Sequence, residues 1–169
     1  MHTIFETQRL TLHRFTEADA PLILQLNSDP DVIRYVHERV LQTEDEARAI
    51  ILNIILPQYE KNLGRWAIYI KTSNEFIGWC GLKHLPAKNE IDLGYRLIKN
   101  AWGKGYAAEA AKHTLQYGFD KLQLPLITGK AHVENMASIK ILEKIGMQFI
   151  REEMENDCPV KVYTIAMPI

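Results

Sequence analysis

The chain has few cysteines, no long apolar run and no excess of either charge. Cys80 and Cys158 are the only cysteines among 169 residues, too few for a disulfide framework or a cysteine-based zinc site. The six histidines, His2, His13, His37, His84, His113 and His132, form no i, i+4 pair and no His-Glu-x-x-His pattern, so no metal is expected. The most apolar stretch, residues 50–57, contains Asn53 and ends at Pro57, far short of the roughly 20 residues that cross a bilayer. No signal-peptide pattern opens the sequence, and the expected location is the cytosol. Lys plus Arg number 20 against 21 Asp plus Glu, a net charge of −1. That balance gives no general attraction to nucleic acid or an anionic membrane, so neither is expected as a partner, although a local basic patch stays open. What remains is ordinary globular material, 47% hydrophobic and 24% charged. One domain over residues 1–169 is expected, with enough core to need neither disulfides nor a structural metal.

Periodicity divides the chain. Residues 8–15, Gln8-Arg-Leu-Thr-Leu-His-Arg-Phe15, alternate Leu10 and Leu12 with polar neighbours as a half-buried strand does. Thr16-Glu-Ala-Asp19 then pairs a cap hydroxyl with an acidic residue three on, and Leu22, Ile23 and Leu26 mark a helical face that stops at Asp29-Pro30. Thr43-Glu-Asp-Glu46 repeats the cap before Ala47, Ile50, Ile51, Ile54 and Ile55, with Pro57 expected to kink or end that helix. Residues 65–71 and 75–83 read as strands across the turn Thr72-Ser-Asn74. Residues 90–98 add a third, with Ile91, Leu93, Tyr95 and Leu97 on one face and Glu90, Asp92, Gly94 and Arg96 on the other. A helix of about four turns follows, its stripe of Ala107, Ala110, Ala111, Leu115, Gly118, Phe119 and Leu122 small enough to lie close on a sheet. Residues 126–133 form a strand. Ser138, Ile141, Leu142 and Ile145 give a second amphipathic helix stopping at Gly146, and residues 147–153 and 160–167 two final strands. The order β-α-α-β-β-β-α-β-α-β-β predicts a mixed α/β domain of the α+β class with a β-α-β crossover in its second half.

The strongest chemical signal is Asn100-Ala-Trp-Gly-Lys-Gly-Tyr-Ala-Ala-Glu109, which joins the third meander strand to the alanine-rich helix. Two glycines let backbone N–H groups approach a ligand, and the helix N-terminus adds unpaired donors and a positive dipole end, an arrangement suited to phosphate. Lys104 adds a charge. Two other readings compete: a plain flexible turn, and a Rossmann fingerprint formally met by Gly103, Gly105 and Ala108. The fingerprint belongs after the first strand of a parallel β-α-β unit, not after a meander. The Walker pattern GxxxxGK[ST] is absent.

Trp102-Gly-Lys-Gly-Tyr-Ala-Ala-Glu-Ala110 resembles the acetyl-CoA pyrophosphate loop of the GNAT superfamily of N-acetyltransferases, (Gln/Arg)-x-x-Gly-x-(Gly/Ala). Three further segments match in order: Thr7-Gln-Arg-Leu-Thr-Leu-His-Arg-Phe15, Phe76-Ile-Gly-Trp-Cys-Gly-Leu82, and Asn135-Met-Ala-Ser-Ile-Lys-Ile-Leu-Glu-Lys-Ile-Gly146. The last is similar to the Asn-x-x-Ser…Leu-Glu-Lys-x-Gly-Phe signature of the branch that acetylates N-terminal residues of ribosomal proteins. The resemblance covers nearly the whole chain. It implies the GNAT fold, a central, mostly antiparallel twisted sheet flanked by helices. It also implies a metal-free enzyme that transfers an acetyl group from acetyl-CoA directly to a primary amine in a ternary complex. The implied acceptor is a protein N-terminus of the ribosomal-protein type or a small amine, and a homodimer through terminal strands is a further expectation.

Residue by residue, the resemblance places the pyrophosphate on the amides of Gly103, Lys104, Gly105, Tyr106 and Ala107. It puts the pantetheine arm along the backbone at Leu97 and its neighbours, with Asn135 orienting the pantetheine or acetyl end. Ser138 becomes the proton donor to the departing thiolate. Asn100 stands where the family usually has Gln or Arg, and Leu142 where many relatives carry the protonating tyrosine. Met147 replaces a Phe, a change of packing.

Attack on a thioester also needs a base, because a primary amine is mostly protonated at pH 7. Glu90 and Asp92 share one strand face, and burial would raise either carboxyl toward the working range. Glu90 is preferred, since the family's strand-borne glutamate lies near the strand's start; a solvated face or an ion pair with Arg96 is the plain alternative. For Ser138 the alternative is a helix-surface hydroxyl or a local cap. A backbone N–H of the same strand is the expected oxyanion donor. Cys80 reads as a buried thiol and Cys158 as part of a polar turn, neither with a His partner. Trp66 and Trp102 read as packing residues, and Tyr35 is a candidate for lining a substrate groove. Two other classes stay open: an acyl-CoA or phosphate-binding module without turnover, and a Rossmann-type dinucleotide binder.

Overall fold

The computed structural model describes residues 2–169 and carries eight strands in one sheet, ordered β1-β2-β3-β4-β5-β6-β8-β7. The strands are β1 Thr3–Glu6, β2 Leu10–Arg14, β3 Gly64–Ile70, β4 Phe76–Leu85, β5 Glu90–Leu97, β6 Leu126–His132, β7 Gln148–Glu155 and β8 Cys158–Ala166. Every pairing is antiparallel except β5 with β6. The helices are α1 Ala20–Asn27, α2 Glu44–Ile50, α3 Leu56–Tyr59, α4 Tyr106–Asp120 and α5 Met136–Lys144. The expected mixed α/β class and mostly antiparallel sheet are therefore present, and the β5-α4-β6 crossover supplies the one parallel pair.

Local chemistry accounts for most boundaries. Thr43 Oγ1 accepts the Glu46 N–H at 3.2 Å and caps α2, while the Thr16 N–H donates to Asp19 Oδ2 at 2.8 Å. The turn at residues 72–74 closes with Asn74 at φ 57°, and the β7–β8 hairpin turns on Asn156 and Asp157, both at positive φ. The apolar stripe of α4 buries Ala110, Ala111, Leu115 and Phe119 against the sheet.

Two expectations need correction. The sheet begins earlier than residue 8, because β1 pairs with β2 in a four-residue strand too short to show a period. Its Phe5 ring packs edge-on to Trp66 at 6.0 Å, a tertiary contact that holds it in place. Pro57 does not end the second helix: a π-helical turn, Ile51–Ile55, precedes it, and α3 continues to Tyr59. In that turn the Leu56 N–H donates to the Ile51 carbonyl, so the wider spacing falls directly before the proline.

Candidate active site

Beside the parallel pair the sheet opens into a cleft. β5 and β6 are in register only at Asp92 with Thr128 and Leu93 with Gly129, so the second half of β5 has no strand on its β6 side. The Ile98 N–H donates to the Ile77 carbonyl at 2.8 Å. By the alternation of an antiparallel ladder, the backbone groups of Tyr95 and Leu97 therefore point away from β4, toward this opening. A cleft of about 1470 Å³ occupies it, bounded by the sheet, the 28–43 loop and the N-termini of α4 and α5. Leu97, Gly103, Gly105, Tyr106, Ala107, Asn135 and Ser138 all line it; Lys104 and Glu90 do not. The Leu97 carbonyl is already taken by Trp102 Nε1 at 3.0 Å. The N–H of Leu97 and the backbone of Tyr95 are thus the groups left for an extended ligand.

The glycine turn is held from an unexpected direction. Gly103 and Gly105 sit at φ 76° and 81°, a left-handed backbone that glycine adopts without a Cβ penalty. No protein acceptor meets the N–H groups of residues 103–108, and a Cβ at Gly103 would meet nothing within 4 Å. These are open donors at the start of a 15-residue helix, the arrangement that receives phosphate oxygens. A clamp from the β1–β2 turn fixes the loop. Arg9 Nη1 donates to the Lys104 carbonyl at 2.9 Å, and Arg9 Nε to Glu109 Oε2 at 2.7 Å. Thr7 Oγ1 and the Arg9 N–H donate to Glu109 Oε1 at 2.6 and 2.9 Å, and the Arg9 guanidinium lies 4.4 Å over the Tyr106 ring. Burial would raise the Glu109 carboxyl, but these donors outweigh it and hold the group below its usual range. The Thr7-x-Arg9 segment thus anchors the loop where Asn100 replaces the family's Gln or Arg. Lys104 takes part through its carbonyl.

At the start of α5, Asn135 Oδ1 caps the helix by accepting the Ser138 N–H at 3.2 Å. Ser138 is more than a cap neighbour. The Tyr95 hydroxyl donates to the Ser138 carbonyl at 3.1 Å and lies 2.9 Å from Ser138 Oγ. Either hydroxyl can be the donor in the second contact, so the two form a chain. Burial pushes the Tyr95 phenol up, partly offset by the Ser138 hydrogen bond, and keeps it protonated at neutral pH. Sequence reasoning placed Tyr95 on the correct strand face but gave it no role, because its partner lies 43 residues away on another element.

Of the two carboxylates weighed as bases, the cleft receives Asp92 and not Glu90. Glu90 contacts Lys130 Nζ at 3.0 Å and Arg151 at 3.7 Å. Lys130 also reaches Glu153 and Glu155 at 3.4 and 3.5 Å. Glu90 thus belongs to an ion-pair network at the β6–β8–β7 end of the sheet. Asp92 lines the cleft, and its Oδ1 is sealed from solvent without a hydrogen-bond partner. Burial raises its carboxyl to about 7, with Lys130 pulling down and Glu155 pushing up. A carboxylate with that pKa can accept a proton near neutral pH. The alternative of an ion pair between this face and Arg96 is not formed, since Arg96 reaches Glu38 at 2.8 Å and Asn27 at 2.9 Å.

The remaining singled-out residues fall into place. Leu142 is buried at 1% exposure against β6 and does not line the cleft. Trp66 is buried, but Trp102 is 44% exposed at the cleft rim, a correction to its reading as a packing residue. Tyr35 lines the cleft, its ring 5.4 Å from His132. The Cys80 thiol is buried 3.3 Å from Thr114 Oγ1 and pushed up to about 12, so it is no nucleophile at neutral pH. Cys158 opens β8 as a free thiol. Among the described residues no group of three or more metal-ligating side chains occurs, and no helix is long and apolar enough to cross a membrane.

A strand-to-helix anion loop, a splayed parallel pair and a hydroxyl–carboxylate set in one cleft define an acyl-CoA-dependent transferase fold. The chain belongs to the GNAT acetyltransferase family, whose domain model matches residues 9–148. An uncharacterised N-acetyltransferase p20 of Bacillus licheniformis is 36% identical over 149 residues, covering 88% of this chain and 83% of that protein. Among solved structures, RimL, a ribosomal L7/L12 α-N-protein acetyltransferase in complex with coenzyme A, superposes with TM-score 0.84 at 17% identity, covering 98% of both chains. The spermidine N-acetyltransferase of Vibrio cholerae, with CoA and spermine, gives 0.80 at 20% identity, covering 95% of this chain and 97% of that one. At these identities the two structures speak to the fold alone. The family uses acetyl-CoA as its acetyl donor, and both structures hold CoA.

Proposed function

We propose that this chain transfers the acetyl group of acetyl-CoA to a primary amine by direct attack in a ternary complex, with Asp92 as base and Ser138, backed by Tyr95, as proton donor. The observation that carries the reading is the row of unpaired amides at residues 103–108 beside the same cleft as the Asp92 carboxylate, whose Oδ1 has no partner. Those amides, Gly103 to Ala107 among them, hold the pyrophosphate, the open edge of β5 at Tyr95 and Leu97 pairs with the pantetheine arm, and Asn135 lines its far side. Bound there, the donor supplies a thioester. The amine loses its proton to Asp92, directly or through a water, and its nitrogen bonds to the acetyl carbon as the carbon–sulfur bond breaks. The Ser138 hydroxyl protonates the departing thiolate, and the second proton leaving the nitrogen, carried by water, restores the Ser138–Tyr95 hydroxyl pair. A backbone N–H on the open edge of β5 is placed to stabilise the oxyanion. Asp92 and Tyr95 lie on opposite faces of β5, so base and acid approach from two sides.

Glu90, preferred from the sequence, is assigned instead to holding Lys130. The acceptor is a protein N-terminus or a small amine, the two acceptor kinds named for the structural neighbours. The reading treats residues 1–169 as one acetyltransferase domain acting in the cytosol, where Cys80 and Cys158 stay reduced. It includes a homodimer through β7, an edge strand with Phe149, Ile150 and Met154 exposed.

A thermal-shift comparison of acetyl-CoA, CoA, NAD and ATP tests the reading, since a ligand at about 100 times its Kd adds roughly 2.7 kcal/mol of stability. Stabilisation by acetyl-CoA, with release of free CoA thiol on adding amines, is expected. Stabilisation by NAD alone would return the loop to the dinucleotide reading. Acetyl-CoA binding without transfer to any amine would make the chain a binding module.

A further inference from the structure

The sheet face that carries Asp92 also carries two cations that form no ion pair. Arg65 on β3 and Lys83 on β4 share a sheet face with Asp92: Lys83 lies directly opposite Asp92 across β4–β5, and Arg65 opposite Gly81, two residues along β4. All three line the cleft. The Arg65 guanidinium stacks 4.2 Å over Trp79, whose ring also faces Arg96 at 5.5 Å. Stacking fixes the guanidinium plane and leaves its N–H edge for a ligand. Neither Arg65 nor Lys83 makes an ion pair or a side-chain hydrogen bond with any described residue. Burial lowers both groups, and each repels its cationic neighbours, Arg96 for Arg65 and Arg65 for Lys83. Arg65, lowered to about 10, stays charged at neutral pH.

Apart from Asp92, the carboxylates that act on these two cations, Glu38 and Glu155, are already ion-paired. Glu38 is bound to Arg96, Glu155 to Lys130, and Asp31 to Lys99. Only Asp92 remains on this face to balance two desolvated cations, and in turnover it must take up a proton. Half-buried cations without a counter-charge are costly, and a ligand that supplies the missing anion relieves that cost. A polyamine would add positive charge at this point.

We propose that the acceptor is an amine that carries a carboxylate close to it, with the carboxylate bound between Arg65 and Lys83 and the amine presented to Asp92. This rests on the acetyltransferase reading above. Two sources share the chemistry, a free amino acid through its α-carboxylate and a peptide N-terminus followed at once by an acidic side chain. In either case the two cations also lower the acceptor ammonium's pKa and enrich the nucleophilic neutral amine.

The test is a set of matched acceptors assayed for CoA thiol release by the wild-type protein. One arm compares serine and alanine with their amides. A second compares C-terminally amidated peptides beginning Ser-Asp with those beginning Ser-Asn, and spermidine completes the set. The expected result is at least a tenfold higher kcat/KM for the carboxylate member in one arm, which names the source, with spermidine slowest. Arg65→Gln and Lys83→Gln should each erase most of that preference by raising the KM of the carboxylate acceptor far more than that of its amide, leaving the acetyl-CoA KM unchanged. Equal rates within pairs, or spermidine as best acceptor, overturn the proposal while leaving the acetyltransferase reading intact. No transfer to any acceptor overturns both, and the acetyl-CoA thermal shift then separates a binding module from a protein that does not bind the donor.

Discussion

Replacing Asp92 by Asn keeps the shape of the side chain and removes its charge. Two consequences follow from the raised carboxyl, which lies at about 7 against an ordinary 3.8. As a base, wild-type Asp92 works only when ionised, so log kcat/KM should rise with pH and level off above about 7. The Asn variant should lose that limb together with about 10² to 10⁴ of the rate. As a buried group whose folded pKa is raised, Asp92 costs nothing below pH 4, where both states are neutral. Between pH 4 and 7 the unfolded chain ionises first, and stability falls to a plateau. Three pKa units correspond to about 4 kcal/mol, so the stability of Asp92→Asn relative to wild type should improve by about that amount between pH 4 and pH 8. Urea melts at both pH values and acetyl-transfer rates from pH 5.5 to 9 measure the two effects on one pair of proteins. A variant within threefold of wild-type rate, or a stability difference that is flat with pH, would refute the assignment. Glu90→Gln is the control, expected to leave the pH limb in place.

Other perturbations probe the remaining parts of the site. Ser138→Ala should lower kcat by about 10²-fold and Tyr95→Phe by about tenfold, both with little change in the acetyl-CoA KM; equal effects on KM would mean a packing role. Arg9→Ala removes the clamp on the Lys104 carbonyl and Glu109, and should raise the acetyl-CoA KM by about tenfold, the equivalent of about 1.4 kcal/mol, without altering the pH profile. Gly105→Ala forces a Cβ onto a residue at φ 81° and should cost about 1 kcal/mol in a urea melt while weakening CoA binding. Size-exclusion chromatography should show twice the 19.5 kDa chain mass, and Phe149→Lys with Ile150→Lys on β7 should return it to monomer; a monomeric wild type rules the edge-strand dimer out.

The sequence by itself determined the features that depend on near neighbours along the chain. The caps at Thr16 and Thr43, the alternation in residues 90–98, the small-residue stripe of α4 and the Gly103–Gly105 turn each lie within one element, and each occurs in the structure. The phosphate-type loop was legible because its requirement, positive φ ahead of a helix N-terminus, is met by adjacent residues. Tertiary structure decided what joins distant elements. The alternation that put Glu90 and Asp92 on one face could not choose between them; Lys130 and Arg151, 40 and 61 positions on, engage the first, while burial at the mouth of the cleft selects the second. Arg9, 95 positions before Lys104, clamps the glycine loop, and Tyr95 meets Ser138 across 43 residues. Arg65 and Lys83 stand at the ends of two strand runs, and nothing in the sequence singles them out. A pKa, a hydrogen-bond chain and an unpaired charge are set by the distances and solvent around a group, and only the folded sheet with its opened β5–β6 pair fixes those.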